Sequence, residues 1–193
     1  MKGEEKENKF NYVSFDFEIN NTEHIYGLPE RMTDFDLKDT DDKDAYRLYN
    51  LDFFNETGKP LIQSLYGSIP LIHSISTDCK IMFSFLFNNT TDTWIDVSST
   101  IKDKNPCKQI RAVSQGGILE FYVFADTNFQ RNFYKLAKLT GFAKLPPIFS
   151  LGYHQCRWGY NSQEEITEVD INFDKNDIPY DVLWLDIDVS YTL

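Results

Sequence analysis

The spacing of apolar residues changes period near residue 126, and that change fixes most of what the chain can fold into. Before it, apolar residues recur at every second position. Val13, Phe15, Phe17 and Ile19 alternate with Ser14, Asp16 and Glu18, the pattern of a half-buried strand. Ile81, Phe83, Phe85 and Phe87 repeat it, as do Thr93, Ile95 and Val97. Gly116-Gly117 punctuates, and Ile118 to Phe124 reads as a further strand. Loops rich in Asp, Asn, Gly and Pro separate these runs, notably Met32 to Ala45 and Asn50 to Lys59. Several short strands with turn signals between them predict an antiparallel sandwich.

After residue 126 the period becomes helical. Phe129, Phe133, Leu136 and Ala137 fall at i, i+4, i+7 and i+8, one face of a helix. Asp126 or Thr127 is in place to cap its start, Gly141 to end it, and Pro146-Pro147 to bar its continuation. A β-α-β pattern follows. Ile148 to Tyr153 reads as a short apolar strand. Ser162-Gln163-Glu164-Glu165 fits a capping box, Ile166, Val169 and Phe173 give the helix an apolar stripe, and Val182 to Leu185 reads as a second buried strand. Such a unit implies a parallel pair with a right-handed crossover. Parallel sheets are normally covered on both faces, so the sequence predicts a piece of a larger α/β domain.

Composition removes several functions. Nineteen basic against thirty acidic residues give a formal net charge of −11, which disfavours a nucleic-acid or anionic-membrane surface. The apolar runs are far shorter than the roughly 20 residues that span a bilayer. Cys79, Cys107 and Cys156 form no CxxC pair, so neither zinc nor a disulfide framework is indicated, and one bridge with one free thiol stays open. The charged start, Met1 to Lys9, carries no apolar signal-peptide core. Four Asn-x-Thr sequons begin at Asn20, Asn55, Asn88 and Asn89, a motif used in secretory compartments. No GxSxG, P-loop, HExxH or dinucleotide fingerprint is present. His24 and His73 lack ligand spacing, and the acidic stretch Asp34 to Asp44 lacks the order of a calcium loop.

Two clusters carry chemistry. Trp184-Leu185-Asp186-Ile187-Asp188 follows an apolar run at the carboxyl end of the second parallel strand, where α/β barrels place their active sites. Strand alternation puts Asp186 and Asp188 on one face, able to bind sugar hydroxyls, to do acid-base work, or to end the strand and cap a turn. Tyr153-His154-Gln155-Cys156-Arg157-Trp158-Gly159-Tyr160 gathers polar donors, a cation and three aromatics at the end of the first.

Together with His24 to Glu30, Tyr46-Arg47-Leu48-Tyr49-Asn50-Leu51-Asp52, Leu65 to Pro70, Thr93-Trp94-Ile95-Asp96, Leu139-Thr140-Gly141 and Phe149 to Gln155, these segments resemble glycoside hydrolase family 31 α-glucosidases, and within them the glucosidase II branch of the endoplasmic reticulum. The resemblance runs from about residue 10 to 188. It implies a galactose-mutarotase-like β-sandwich at 1–126, a linking helix at 127–145 and, at 146–193, the first β-α-β of a truncated (β/α)8 barrel. It assigns Asp186 to hydroxyls of the sugar in the −1 subsite, Ile187 to the pocket lining, Trp158 to the aromatic position after the first barrel strand, and Asp52 to a sandwich loop over the pocket. The family's Trp-x-Asp-Met-Asn nucleophile motif is missing from these 193 residues, so no catalytic residue is assigned and the chain by itself is expected to be inactive. The position of Asp188 is often Glu in the branch, and Val189 to Leu193 departs from its pattern. No metal or organic cofactor is implied. The expected partners are an oligosaccharide and a lectin-like β subunit, in the endoplasmic-reticulum lumen. Sandwich and aromatic richness also suit a non-catalytic carbohydrate-binding or interaction module, and an α-xylosidase or lysosomal-type α-glucosidase belongs to the same family.

Overall fold

A computed structural model describes residues 12–41, 43–53 and 61–188. They fall into two units, divided between Gly141 and Phe142.

The first unit is built on two four-stranded antiparallel sheets. In chain order its strands are β1 (Val13–Asn20), β2 (Ile25–Gly27), β3 (Arg31–Met32), β4 (Tyr46–Leu48), β5 (Leu61–Ser64), β6 (Leu71–Ile75), β7 (Met82–Phe87), β8 (Thr93–Lys102), β9 (Asn105–Ser114) and β10 (Phe121–Asp126). One sheet has the order β1-β9-β8-β4 and the other β10-β7-β6-β2, while β3 and β5 form a separate pair. Neither large sheet closes on itself. β1 alternates as its sequence predicts, with Ser14, Asp16 and Glu18 outward and Ile19 buried. The strand expected from Ile118 starts only at Phe121, because Ile118 and Leu119 remain in the exposed turn after Gly116-Gly117.

The sheets meet through a mixed core. Ile25, Ile72, Ile95, Val97 and Ile110 lie at its centre with Tyr46 and Leu48. Along one side runs an aromatic seam between β1 and the opposite sheet. Phe17 stacks on Phe85 with ring centroids 4.3 Å apart, and Phe15 meets Phe87 edge-on at 4.8 Å. Such pairs add about 0.5–1.5 kcal/mol beyond simple burial.

Strand β9 escapes the sequence pattern altogether. Its inward positions are Lys108, Ile110, Ala112 and Ser114, so two of four are polar. The Lys108 ammonium stays buried by donating to Asp39 Oδ1 at 2.9 Å and to Ser99 Oγ at 2.8 Å. The β8–β9 hairpin turns on Asp103 and Lys104, both at positive φ (51° and 66°), the conformation of the tight turns that match strand twist.

Helix α1 (Phe129–Thr140) packs on β10 and β7. Its cap is Asn128, not Asp126 or Thr127. Asn128 Oδ1 accepts from the Gln130 N–H at 2.7 Å, and Asp126 is engaged with Lys135 at 2.9 Å instead. Of the expected apolar stripe, Phe129, Leu136 and Ala137 are partly buried. The residue driven fully into the sheet is Asn132, at 0% exposure, whose amide donates to the Met82 carbonyl (2.9 Å) and Ser84 Oγ (3.2 Å), while Phe133 is half exposed. Ser84 Oγ also meets His73 Nδ1 at 2.8 Å, and the His73 ring lies against Phe129 and Phe133.

In the second unit, β11 (His154–Gln155) and β12 (Val182–Leu183) pair in parallel, joined by α2 (Gln163–Lys175). The stripe of α2 holds: Ile166, Val169 and Phe173 are its partly buried apolar residues. Ser162 Oγ accepts from the Glu165 N–H at 3.2 Å, while the Glu165 carboxylate reaches back to the N–H of Asn161 at 2.7 Å, one residue earlier than a standard box. Two strand expectations shift. Ile148–Leu151 is a 3-10 turn, since Pro147 sets φ to −61° and accepts from both the N–H and hydroxyl of Ser150 (3.0 and 2.7 Å). The second strand stops at Leu183, because its two-residue partner offers no further ladder. Cys79, Cys107 and Cys156 are all unbridged.

Candidate functional site

The carboxyl ends of β11 and β12 are organised by side chains as well as by a short ladder, in which the Val182 and Trp184 N–H groups donate to the Tyr153 and Gln155 carbonyls at 3.2 and 3.0 Å. Parallel pairing places His154 opposite Val182, and Trp184 follows two residues on. The Trp184 indole N–H donates to His154 Nδ1 at 2.9 Å, and His154 Nε2 lies 3.0 Å from the Ser150 carbonyl oxygen. An indole only donates and a carbonyl only accepts. The imidazole is therefore the neutral tautomer with its proton on Nε2, and both nitrogens are occupied. It braces the two strands and has no lone pair left for general-base work.

Gln155 is spent in the same way. Its carbonyl accepts from the Tyr153 hydroxyl (2.7 Å) and its amide donates to the Tyr160 hydroxyl (3.0 Å). Tyr160, at 5% exposure, is the buried apolar residue among those described from Phe142 onward. Asp181 Oδ2 accepts from the Tyr153 N–H at 3.1 Å, closing the base of the pair.

Trp158, Asp186 and Ile187 lie beyond this braced base. Trp158 is 77% and Ile187 63% exposed. The shared-face expectation for Asp186 and Asp188 fails because β12 has ended: the last backbone bond of the pair runs from the Trp184 N–H to the Gln155 carbonyl at 3.0 Å, and residues 187–188 turn into a 3-10 conformation. The carboxylates then take different tasks. Asp186 Oδ1 accepts from the Ile187 N–H at 2.7 Å, and Asp188 Oδ2 from the N–H of Gly159 at 2.7 Å. Asp188 thus pins the turn after Trp158, whose Gly159 sits at φ +97°. Asp186 remains exposed, with Oδ2 unpartnered among the described residues. An exposed indole face and an exposed carboxylate suit the C–H face and hydroxyls of a sugar ring.

Asp52 belongs to the first unit. The Tyr66 hydroxyl hydrogen-bonds its carboxylate, and that bond holds the phenol above its ordinary pKa. The surrounding loop is bolted twice more: Asn50 Nδ2 donates to the Tyr66 carbonyl (2.7 Å) and the Leu51 N–H to the Leu65 carbonyl (2.8 Å). Gly67 continues the chain of ties through its N–H to Glu30 Oε2 at 2.8 Å. The Tyr66 role escaped sequence reading, although Leu65 to Pro70 and Tyr46 to Asp52 were both singled out, because nothing in either spacing says that they touch. The His154–Trp184 contact escaped likewise, although it follows once the parallel register is known.

Two clefts on the first unit are lined by other described residues. One of about 580 Å³ is lined by Asp16, Glu18, Asp96 and Arg111, and one of about 560 Å³ by Tyr26, Phe35, His73 and Leu136. No described group of three or more His, Cys, Asp or Glu is placed to hold a metal, and no described helix is long and apolar enough to cross a membrane.

Two family models match the chain: the glycosyl hydrolase 31 N-terminal galactose mutarotase-like domain over residues 1–96, and the glycosyl hydrolases family 31 TIM-barrel domain over residues 143–192. The chain belongs to glycoside hydrolase family 31. It is 39% identical to neutral alpha-glucosidase AB of Dictyostelium discoideum, over 91% of this chain and 19% of that protein. It is 36% identical to glucosidase 2 subunit alpha of Schizosaccharomyces pombe, over 92% of this chain and 20% of that one. Among solved structures, an ER glucosidase II heterodimeric complex of catalytic subunit and regulatory-subunit binding domain superposes with a TM-score of 0.79 at 33% identity, covering 92% of this chain and 20% of its own. A cycloalternan-degrading enzyme from Trueperella pyogenes, 18% identical with a TM-score of 0.63, shares the fold. The architecture is that of the family: a galactose-mutarotase-like sandwich followed by the start of the TIM-barrel domain. The chain spans about a fifth of the length of these family 31 relatives.

Proposed function

We propose that these 193 residues supply the sandwich and barrel start of a retaining α-glucosidase that removes terminal α-linked glucose from oligosaccharides. In this reading residues 1–126 are the sandwich, 127–145 the linking helix and 146–193 the beginning of the barrel. Asp186 binds sugar hydroxyls in the −1 subsite, Ile187 lines that pocket, Trp158 supplies an aromatic wall, and Asp52 is a further sugar-facing carboxylate of the same enzyme. The reading rests on one observation above all: an exposed Asp186 carboxylate and an exposed Trp158 indole follow the carboxyl ends of two parallel strands, where barrels of this kind bind substrate.

Retention needs two carboxyl groups about 5–5.5 Å apart across one glycosidic bond. Asp186 and Asp188 are not that pair. Asp188 is tied to the Gly159 backbone, and the family's nucleophile motif is missing from these residues. The chain alone is therefore expected to bind without cleaving. Trimming of N-glycans in the endoplasmic reticulum, in company with a lectin-like β subunit, is the setting we infer. It is supported by the likeness to the glucosidase II heterodimer. No cofactor enters the reading.

The test is an assay of the purified chain on a chromogenic α-glucoside beside its Asp186→Asn variant. No turnover by either is expected. Turnover by the parent chain that Asp186→Asn abolishes would show that the chemistry has been misplaced.

A further inference from the structure

We propose that Asn88, of the overlapping sequons Asn88-Asn89-Thr90 and Asn89-Thr90-Thr91, is an N-glycan acceptor of this protein, and that Asn89 is not. The proposal rests on the reading that the chain resides in the endoplasmic reticulum, because only there does it meet the sugar donor.

The two neighbouring amides have opposite surroundings. Asn88 is exposed just past the end of β7, and Thr90, which completes its sequon, is exposed as well. The Asn88 Nδ2 makes one surface contact, to Glu120 Oε2 at 2.6 Å. A glycosylated amide keeps one N–H, so this bond survives the modification. Asn89 is consumed by the fold. Its Nδ2 donates to the Gly116 and Ile118 carbonyls at 2.9 and 3.3 Å, and its Oδ1 accepts from the N–H and hydroxyl of Thr91 at 2.9 and 2.8 Å. A Cβ on Gly117 would stand 2.7 Å from Asn89 Nδ2, so no room remains there for a sugar ring. At the first sequon Thr22 is 2% exposed and its hydroxyl donates to the Ile75 carbonyl. The sequon at Asn55 lies outside the described residues.

The transfer forms a bond between Asn88 Nδ2 and the anomeric carbon of an oligosaccharide carried on a lipid pyrophosphate. The bond from that carbon to the pyrophosphate oxygen breaks, the lipid pyrophosphate leaves with the electron pair, and one amide proton is released.

The experiment secretes the full chain from a eukaryotic cell behind an added leader, then removes glycans enzymatically in heavy-oxygen water, which marks each occupied asparagine as labelled aspartate. The label is expected at position 88, lost in Thr90→Ala and restored in Thr90→Ser. Thr90→Ala leaves the Asn89 sequon intact and touches none of the Asn89 hydrogen bonds, so misfolding does not confuse the outcome. Label at position 89, or none at either position, overturns the proposal. Because the leader forces entry, this result is independent of where the native chain resides, which immunolocalisation in its own cell decides separately.

Discussion

The two units solve the problem of burial in opposite ways. The sandwich buries its apolar face against itself: ten strands bring Ile25, Leu28, Tyr46, Val97 and Ile110 to almost complete burial. The β-α-β unit has two ladder positions per strand, and of its described residues only Tyr160 is buried. Leu145, Ile148 and Leu151 are largely exposed. Antiparallel hairpins gather a core from local neighbours, whereas a parallel pair is designed to be covered on both faces. The first unit therefore rests on a buried apolar core, whereas the described part of the second combines a partly buried stripe with exposed polar braces such as His154–Trp184 and Asp181–Tyr153.

The sharpest way to break this comparison is to cut a hole in each unit. Phe87→Ala removes a buried ring from the aromatic seam and is expected to cost about 3–5 kcal/mol, read as a lower denaturant midpoint for sandwich unfolding. Ile166→Ala, on the half-exposed stripe of α2, should cost well under half of that. Equal losses would mean that the second unit has a core of its own. Next in size is the cap of α2. Ser162→Ala removes the acceptor for the Glu165 N–H and should cost about 1 kcal/mol. Hydrogen exchange is expected to quicken along Gln163 to Glu168 while the sandwich amides stay unchanged. Quickening in both units would show that they unfold together.

The smallest effect is a pH dependence confined to the first unit. Burial pushes His73 below its ordinary pKa of 6.5. The unfolded chain then binds the proton more readily than the folded one, so this contribution is complete above pH 6.5 and is lost as pH falls toward the folded value. Asp126 acts in a separate window. Lys135, its strongest partner, holds it at about 2, below its ordinary 3.8, so its contribution is present above 3.8 and disappears as pH falls through about 2. Thermal melts of His73→Asn should be flatter between neutrality and pH 5 than those of the parent, with the acid limb below pH 4 retained. An unchanged slope near pH 6 would remove His73 from the account.

Much of the architecture was legible because strand and helix periods differ, and where it was not, a polar residue occupied an inward position. β9 hid because Lys108 and Ser114 interrupt its buried row, each satisfied by a partner from elsewhere in the chain: Asp39 and Ser99 for the lysine, Thr93 for the serine. The deepest position of α1 was missed because Asn132, not an apolar residue, points into the sheet toward Met82 and Ser84. No periodicity encodes such pairings. The candidate site was legible as a place rather than as a geometry. Alternation put Asp186 and Asp188 on one face, but the rule applies only while a ladder lasts, and here it lasts two residues. What family resemblance added, the identity of the sugar-facing positions, came from motif order and not from local physics.

The braces around β11 and β12 have a consequence for how this part of the chain can vary. His154 grips Trp184 and Tyr153 grips Asp181 across some thirty intervening positions, so the register of the two strands is held at its ends and not by the length of what connects them. Lengthening a flexible connection twofold costs only about 0.6 kcal/mol. Extra residues inserted in the surface loop between Asn176 and Tyr180 would therefore leave the strand register, and with it the placement of Trp158 and Asp186, where it stands.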